Sequence, residues 1–123
     1  MRIAQFFIAN LGEDRIPRWD FRAPEEKDPV WDSSAGACAA SGMLELSLLT
    51  PGQESAALRQ TATEMVQALD TKCGAWDTDD EGLLHFGTGN KPANDNVHVS
   101  LIYGDYFFVE ALAKLRGQAD TWW

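Results

Sequence analysis

Basic residues are scarce in this chain: ten lysines and arginines face nineteen aspartates and glutamates, for a formal charge of −9. Binding a phosphate backbone needs clustered cations, so the balance argues against nucleic acid as a partner. It argues equally against an anionic membrane surface. The acids are dispersed, which is the pattern of a solubilising surface. Cysteine is scarcer still. Cys38 and Cys73 do not form a metal or redox spacing; both are expected to be reduced, with Cys38 acting as a small buried residue. No apolar run reaches membrane-spanning length and no charged-then-apolar leader precedes the first helical pattern, so a cytoplasmic location is expected. Low-complexity tracts and close repeats are also missing. The 123 residues fit one unit, large enough to bury roughly two-thirds of its unfolded surface.

What the chain does have is helix. In "RIAQFFIANLG", Ile3, Phe6, Phe7 and Leu11 share one face and Gly12 supplies a stop. A second helix follows "WDSS", with Asp32 or Ser33 as N-cap. From Ala35 to Leu49 it carries only one charge, Glu45, and a helix apolar all round is a buried one. Its Ala37, Ser41 and Gly42 would let neighbouring helices approach closely. "TPGQE" announces a third, with Thr50 as cap, Pro51 at the first position and Gln53 completing a capping box. Leu58, Ala62, Met65, Leu69 and Cys73 form its single stripe, and Gly74 ends it. The fourth is expected from about Asp105 to Arg116, capped by Gly104 or Asp105 and closed by Gly117. Phe107, Phe108, Ala111, Leu112 and Leu115 face inward, while Tyr106 and Val109 extend the apolar surface most of the way round.

The helices therefore alternate, one-sided then all-round apolar. Two concentric layers give that alternation, whereas four equivalent helices would each show a similar stripe. Nothing reads convincingly as a sheet. The connection from Ala75 to Ile102 is long for a structureless loop; within it "GLLHFGTG" has room for a short strand pair, and "NKPANDN" is turn chemistry. Five tryptophans, Trp19, Trp31, Trp76, Trp122 and Trp123, are many for this length.

"PRWDF", "DSSAGACAASGMLEL", "HFGTGNKPANDN" and "SLIYGDYFFVEALAKL", in that order, resemble the C-terminal third of the unsaturated glucuronyl hydrolases, glycoside hydrolase family 88. The resemblance runs from Ile3 to Gly117. It implies an all-α fold, a partial (α/α)6 toroid of the six-hairpin type: about two hairpins plus the long loop, with residues 1–123 a single C-terminal fragment. It further implies removal of the unsaturated uronic acid that polysaccharide lyases leave at the end of a sugar chain. In this family an aspartate acts as general acid and base to hydrate the vinyl ether double bond, and the hemiketal then falls apart. Direct displacement by two carboxylates is not used. No metal or organic cofactor is implied.

The family's two key aspartates lie in the earlier part of a longer chain, and neither carries over to Asp20, Asp32 or Asp105. No catalytic residue is therefore assigned, and the chain alone is expected to be inactive. Four residues are candidates for the sugar, an unsaturated uronic acid oligosaccharide. Lys91 keeps the cationic position of a loop that in sulfate-accepting relatives looks like a serine/serine/lysine cluster. Thr88 offers a hydroxyl beside it; neither serine is present, which weakens the case for sulfate. Tyr103 opens an inner helix at the ring's mouth. Trp19 suits stacking on a pyranose, although a loop merely anchored by aromatics explains it equally well. A metal at His85 and His98 would need further ligands, and solvated loop positions are the simpler reading. Glu110 and Lys114 are spaced for an ion pair. The rival reading is a standalone helical module that binds sugar or a partner without catalysis. Self-association through exposed hairpin edges is a further expectation.

Overall fold

A computed structural model describes residues 1–24 and 27–118; Trp122 and Trp123 lie outside the described residues. The element order is α1 (Arg2–Asn10), α2 (Ser33–Leu49), α3 (Gly52–Cys73), β1 (Gly87–Asn90), β2 (Asp95–Val99) and α4 (Ile102–Leu115). All four expected helices are present, and the strands form one antiparallel hairpin.

α2 sits at the centre, packed on α3 along one side and on α4 along the other. The small residues make this possible. A Cβ added at Gly104 of α4 would lie 3.0 Å from the Ser34 Cβ, and one added at Gly36 would meet Pro17 Cδ at 3.0 Å. α2 and α4 run parallel: Ser34 meets Gly104 at one end, and Ser41 bonds Glu110 and Lys114 toward the other. α3 returns antiparallel to α2, with the Ser55 hydroxyl donating to the Ser47 carbonyl at 2.7 Å beside the connecting turn. Two parallel inner helices joined by an antiparallel outer one are the repeating unit of a double-layered helical ring. Met65, Leu69, Leu44, Ala37, Phe108 and Ala111 form the shared core.

Several local expectations give way to tertiary packing. Asp32 is the N-cap of α2, accepting from the Ser34 and Ala35 amides. α3, by contrast, has no side-chain cap and begins at Gly52; Thr50 turns its hydroxyl back to the Leu46 carbonyl at 2.8 Å. α4 starts at Ile102 rather than Asp105, with Leu101 as its cap, because the seat of Gly104 on Ser34 draws "IYG" into the helix. The strand pair is also displaced: "GTGN" pairs with "DNVHV" across the turn, not within "GLLHFGTG". Among the described residues there is no helix long and apolar enough to cross a membrane.

The two helices that read as apolar all round are not buried all round. Cys38 is exposed, contrary to expectation, and Leu48 and Leu49 of the same helix are about three-quarters exposed at 74% and 77%. On α4, Ile102, Val109 and Leu112 make an exposed stripe, from 38% to 82%. The composition of these helices suits an interior, yet no described element covers those flanks. α1 shows the same: Ile3 and Phe6 face outward, while Phe7, Ile8 and Leu11 lean on the core. Cys73 is buried as a free thiol, its pKa pushed up to about 12 by that burial.

Candidate sugar-contact surface

The segments carrying the candidate residues converge where α2 and α4 begin. Residues 16–21 cross this end, anchored by buried Ile16 and Pro17 and by Phe21, which meets Phe7 edge-on at 5.0 Å. A second extended stretch runs alongside: the Trp19 amide donates to the Val30 carbonyl at 3.0 Å, and Arg18 bridges Trp31. Trp19 is half-buried and lines an open groove of about 490 Å³ with Phe6, Arg18 and Arg22. The two arginines were not singled out from the sequence. Their positions on either side of Trp19 and Asp20, in "PRWDFR", were the available signal.

Asp32 organises the next layer. Its Oδ1 accepts from the Ser34 amide at 3.1 Å, the Ala35 amide at 3.3 Å, the Ser34 hydroxyl at 2.6 Å and the Thr88 amide at 3.2 Å. One carboxylate thus caps α2 and fixes the start of the β1–β2 hairpin. Thr88 is 7% exposed and its hydroxyl donates to the Trp31 carbonyl at 2.6 Å. Its proton is committed to the scaffold. Lys91 stands at the hairpin turn, half-buried, with its ammonium in no ion pair or hydrogen bond among the described residues. Tyr103, in the first turn of α4, is 49% exposed.

Asp105 is not a helix cap. Its two carboxylate oxygens accept the Leu83 and Leu84 amides, each at 3.0 Å, tying the run that leads into the hairpin to the start of α4. Neither histidine is a lone loop residue. His85 pairs with Asp80 at 2.7 Å, and Asp80 also accepts from the Gly82 amide and the Ser100 hydroxyl. That amide, the hydroxyl and the His85 ring together hold the Asp80 carboxyl below the usual carboxylate range. His98 accepts the Trp31 amide on Nε2 at 3.1 Å. Partial desolvation first, and the Lys91 charge second, lower its pKa. Among the described residues there is no cluster of three or more metal-ligating side chains.

The arrangement presents aromatic faces and cations at the mouth of a partial helical ring, which is the equipment for holding an anionic sugar. Of the carboxylates there, Asp32 and Asp105 accept backbone amides, while Asp80 is bonded to the His85 ring and the Ser100 hydroxyl as well as to an amide. No family model matches the sequence. The chain is 34% identical to an unsaturated glucuronyl hydrolase of Formosa agariphila over 89% of its own length and 28% of that protein's. It superposes on the crystal structure of an unsaturated glucuronyl hydrolase from Bacillus sp. GL1 with a TM-score of 0.86 at 33% identity, covering 94% of this chain and 32% of that one. A Streptococcus agalactiae unsaturated glucuronyl hydrolase variant complexed with dGlcA-GalNAc6S shares the fold, with TM-score 0.86 at 23% identity over 98% of this chain and 33% of that one. The architecture is therefore part of a six-hairpin glycosidase toroid. The chain is a homologue of the unsaturated glucuronyl hydrolases, and it spans about a third of the length of the relatives it matches.

Proposed function

We propose that this chain supplies part of the inner wall and a sugar-contact surface to a ring that hydrolyses unsaturated uronic acid oligosaccharides. Trp19 and Tyr103 give stacking faces, and Lys91 meets an anionic group on the sugar next to the uronate. Thr88 serves by fixing the hairpin from which Lys91 projects. No general acid is assigned among the described residues. At this end Asp32 Oδ1 and both carboxylate oxygens of Asp105 accept backbone amides. The two free thiols fit a reducing, cytoplasmic setting.

One observation carries this reading. What supports it is a chain homologous to these hydrolases in which Lys91 has no ion pair or hydrogen bond among the described residues and stands on a hairpin anchored to the start of an inner helix by Asp32. Incubating the purified chain with an unsaturated uronic disaccharide tests it. The ultraviolet absorbance of the double bond should persist, while tryptophan fluorescence is quenched saturably, and Lys91→Ala should weaken that quenching about tenfold, as expected for one charge-assisted contact. Loss of the absorbance would refute the absence of a general acid. Quenching unchanged by Lys91→Ala would remove Lys91 from the site.

A further inference from the structure

Trp31 is gripped from both strands of the hairpin. From β1, the Thr88 hydroxyl donates to its carbonyl at 2.6 Å; from β2, His98 Nε2 accepts its amide at 3.1 Å. Only the second grip can titrate. The strand pairing explains how His98 comes to be there. Gly87 pairs with Val99 and Thr88 with Val97, so the register shifts and His98 is the extra residue. A bulge of this kind re-aims a side chain out of the ladder. His98 also has a left-handed backbone, φ 56°, as do Asn94 and Asn96 at 52° and 50°. Asn and His are the residue types that tolerate that region, and such a conformation persists where surrounding contacts determine it. Here those contacts are the Trp31 amide and the Phe86 ring, which meets His98 edge-on at 5.1 Å and Trp31 at 5.6 Å.

We propose that His98 is a positioning residue: as a neutral ring it latches β2, and with it the Lys91 turn, onto Trp31, and on protonation it lets that strand go while Thr88 and Asp32 keep β1 in place. An imidazole accepts on Nε2 only when its proton is on Nδ1; the imidazolium has two donors and would turn one toward an N–H. The charged groups around it do not favour the imidazolium. Lys91, on the same hairpin, opposes a second positive charge. Asp32, at the start of α2, is occupied by Ser34, Ala35 and Thr88. Asp14 is bonded to the Trp31 indole at 2.9 Å and to the Ile16 amide. His85, across Phe86, is paired with Asp80. The His98 ring is exposed at the surface; partial desolvation where it meets Trp31 and Phe86, with the Lys91 charge, holds the folded group below its ordinary value of 6.5. The folded state therefore binds this proton less readily than the unfolded one. The latch is fully closed above the unfolded value and is lost as pH falls through the lower folded value.

That the released turn carries a sugar contact rests on the function proposed above; the latch does not. The test is therefore made without sugar, on the full chain, by following hydrogen exchange of the Trp31 amide by NMR. As pH falls below the ordinary value of 6.5 its protection factor should drop about tenfold per pH unit, levelling off below the lower folded value, since one proton opens one contact. In His98→Gln, which keeps an acceptor but cannot titrate, protection should be independent of pH. Nitrogen shifts of wild-type His98 should show Nε2 unprotonated at about pH 7.5, a readout that needs no variant to fold. A wild-type protection factor equal at about pH 5 and pH 7.5, or a proton on Nε2 at the higher pH, would overturn the proposal. If the latch titrates but the disaccharide fails to bind at the higher pH, the Lys91 reading falls and the latch stands.

Discussion

The two ends of the α2–α4 pair use charge in opposite ways. At the C-terminal end, Lys114 is buried to 8% side-chain exposure between the helices, 3.3 Å from Glu45 and 3.6 Å from Glu110. Its ammonium also reaches the Ser41 hydroxyl at 3.1 Å, and Ser41 in turn donates to Glu110. These charges face one another. At the N-terminal end, Asp32 and Asp105 instead accept backbone amides from α2, from the hairpin and from the run that leads into it. The first end is closed by its own side chains. The second is a frame whose carboxylates accept backbone, beside which Lys91 has no ion pair among the described residues, Trp19 is half-buried and Tyr103 is 49% exposed.

Removing the cation breaks the closed end most severely. Lys114→Ala leaves Glu110, only 13% exposed, and Glu45 facing each other without a counter-charge. Breaking such a pair costs about 3 kcal/mol, read as a fall in the urea midpoint. Sugar-induced quenching at the other end should survive once the variant is folded. Asp32→Ala should cost less stability, about 2 kcal/mol, because a helix cap and one hairpin amide are lost. Its effect on sugar quenching should nevertheless be the larger, since the hairpin carrying Lys91 loses its anchor. Asp32→Asn, which keeps an acceptor oxygen, should sit between wild type and Asp32→Ala, about 1 kcal/mol down. Equal effects of Lys114→Ala and Asp32→Ala on quenching would erase the contrast between the ends.

How much of this was legible in the sequence divides along the same line. The closed end was readable: Glu110 and Lys114 lie four residues apart on one helix, and local spacing was enough to pair them. The apolar face that carries Phe108 and Ala111 to the core was readable for the same reason. The open end is built from long-range contacts. Nothing local says that Gly104 packs on Ser34 and so starts α4 at Ile102, or that Asp105 reaches back to Leu83 and Leu84. The hairpin was obscured because its strands are short and polar, with alternate residues of "NDNVH" in the left-handed region instead of an alternating apolar pattern. Cys38 marks another limit. Apolar composition showed that α2 and α4 suit an interior on every side, but not that the flanks bearing Cys38, Leu49 and Val109 would stay exposed among the described residues.

Those exposed flanks lead to the most direct test: mixing this chain with a fragment of the Bacillus relative that comprises the two thirds it does not match. A one-to-one complex is expected in which the stripe of Ile102, Val109 and Leu112 becomes protected from hydrogen exchange, with loss of the double-bond absorbance that neither piece produces alone. A 123-residue chain that stays monomeric beside that fragment, with the stripe as exposed as before and no turnover, would contradict it.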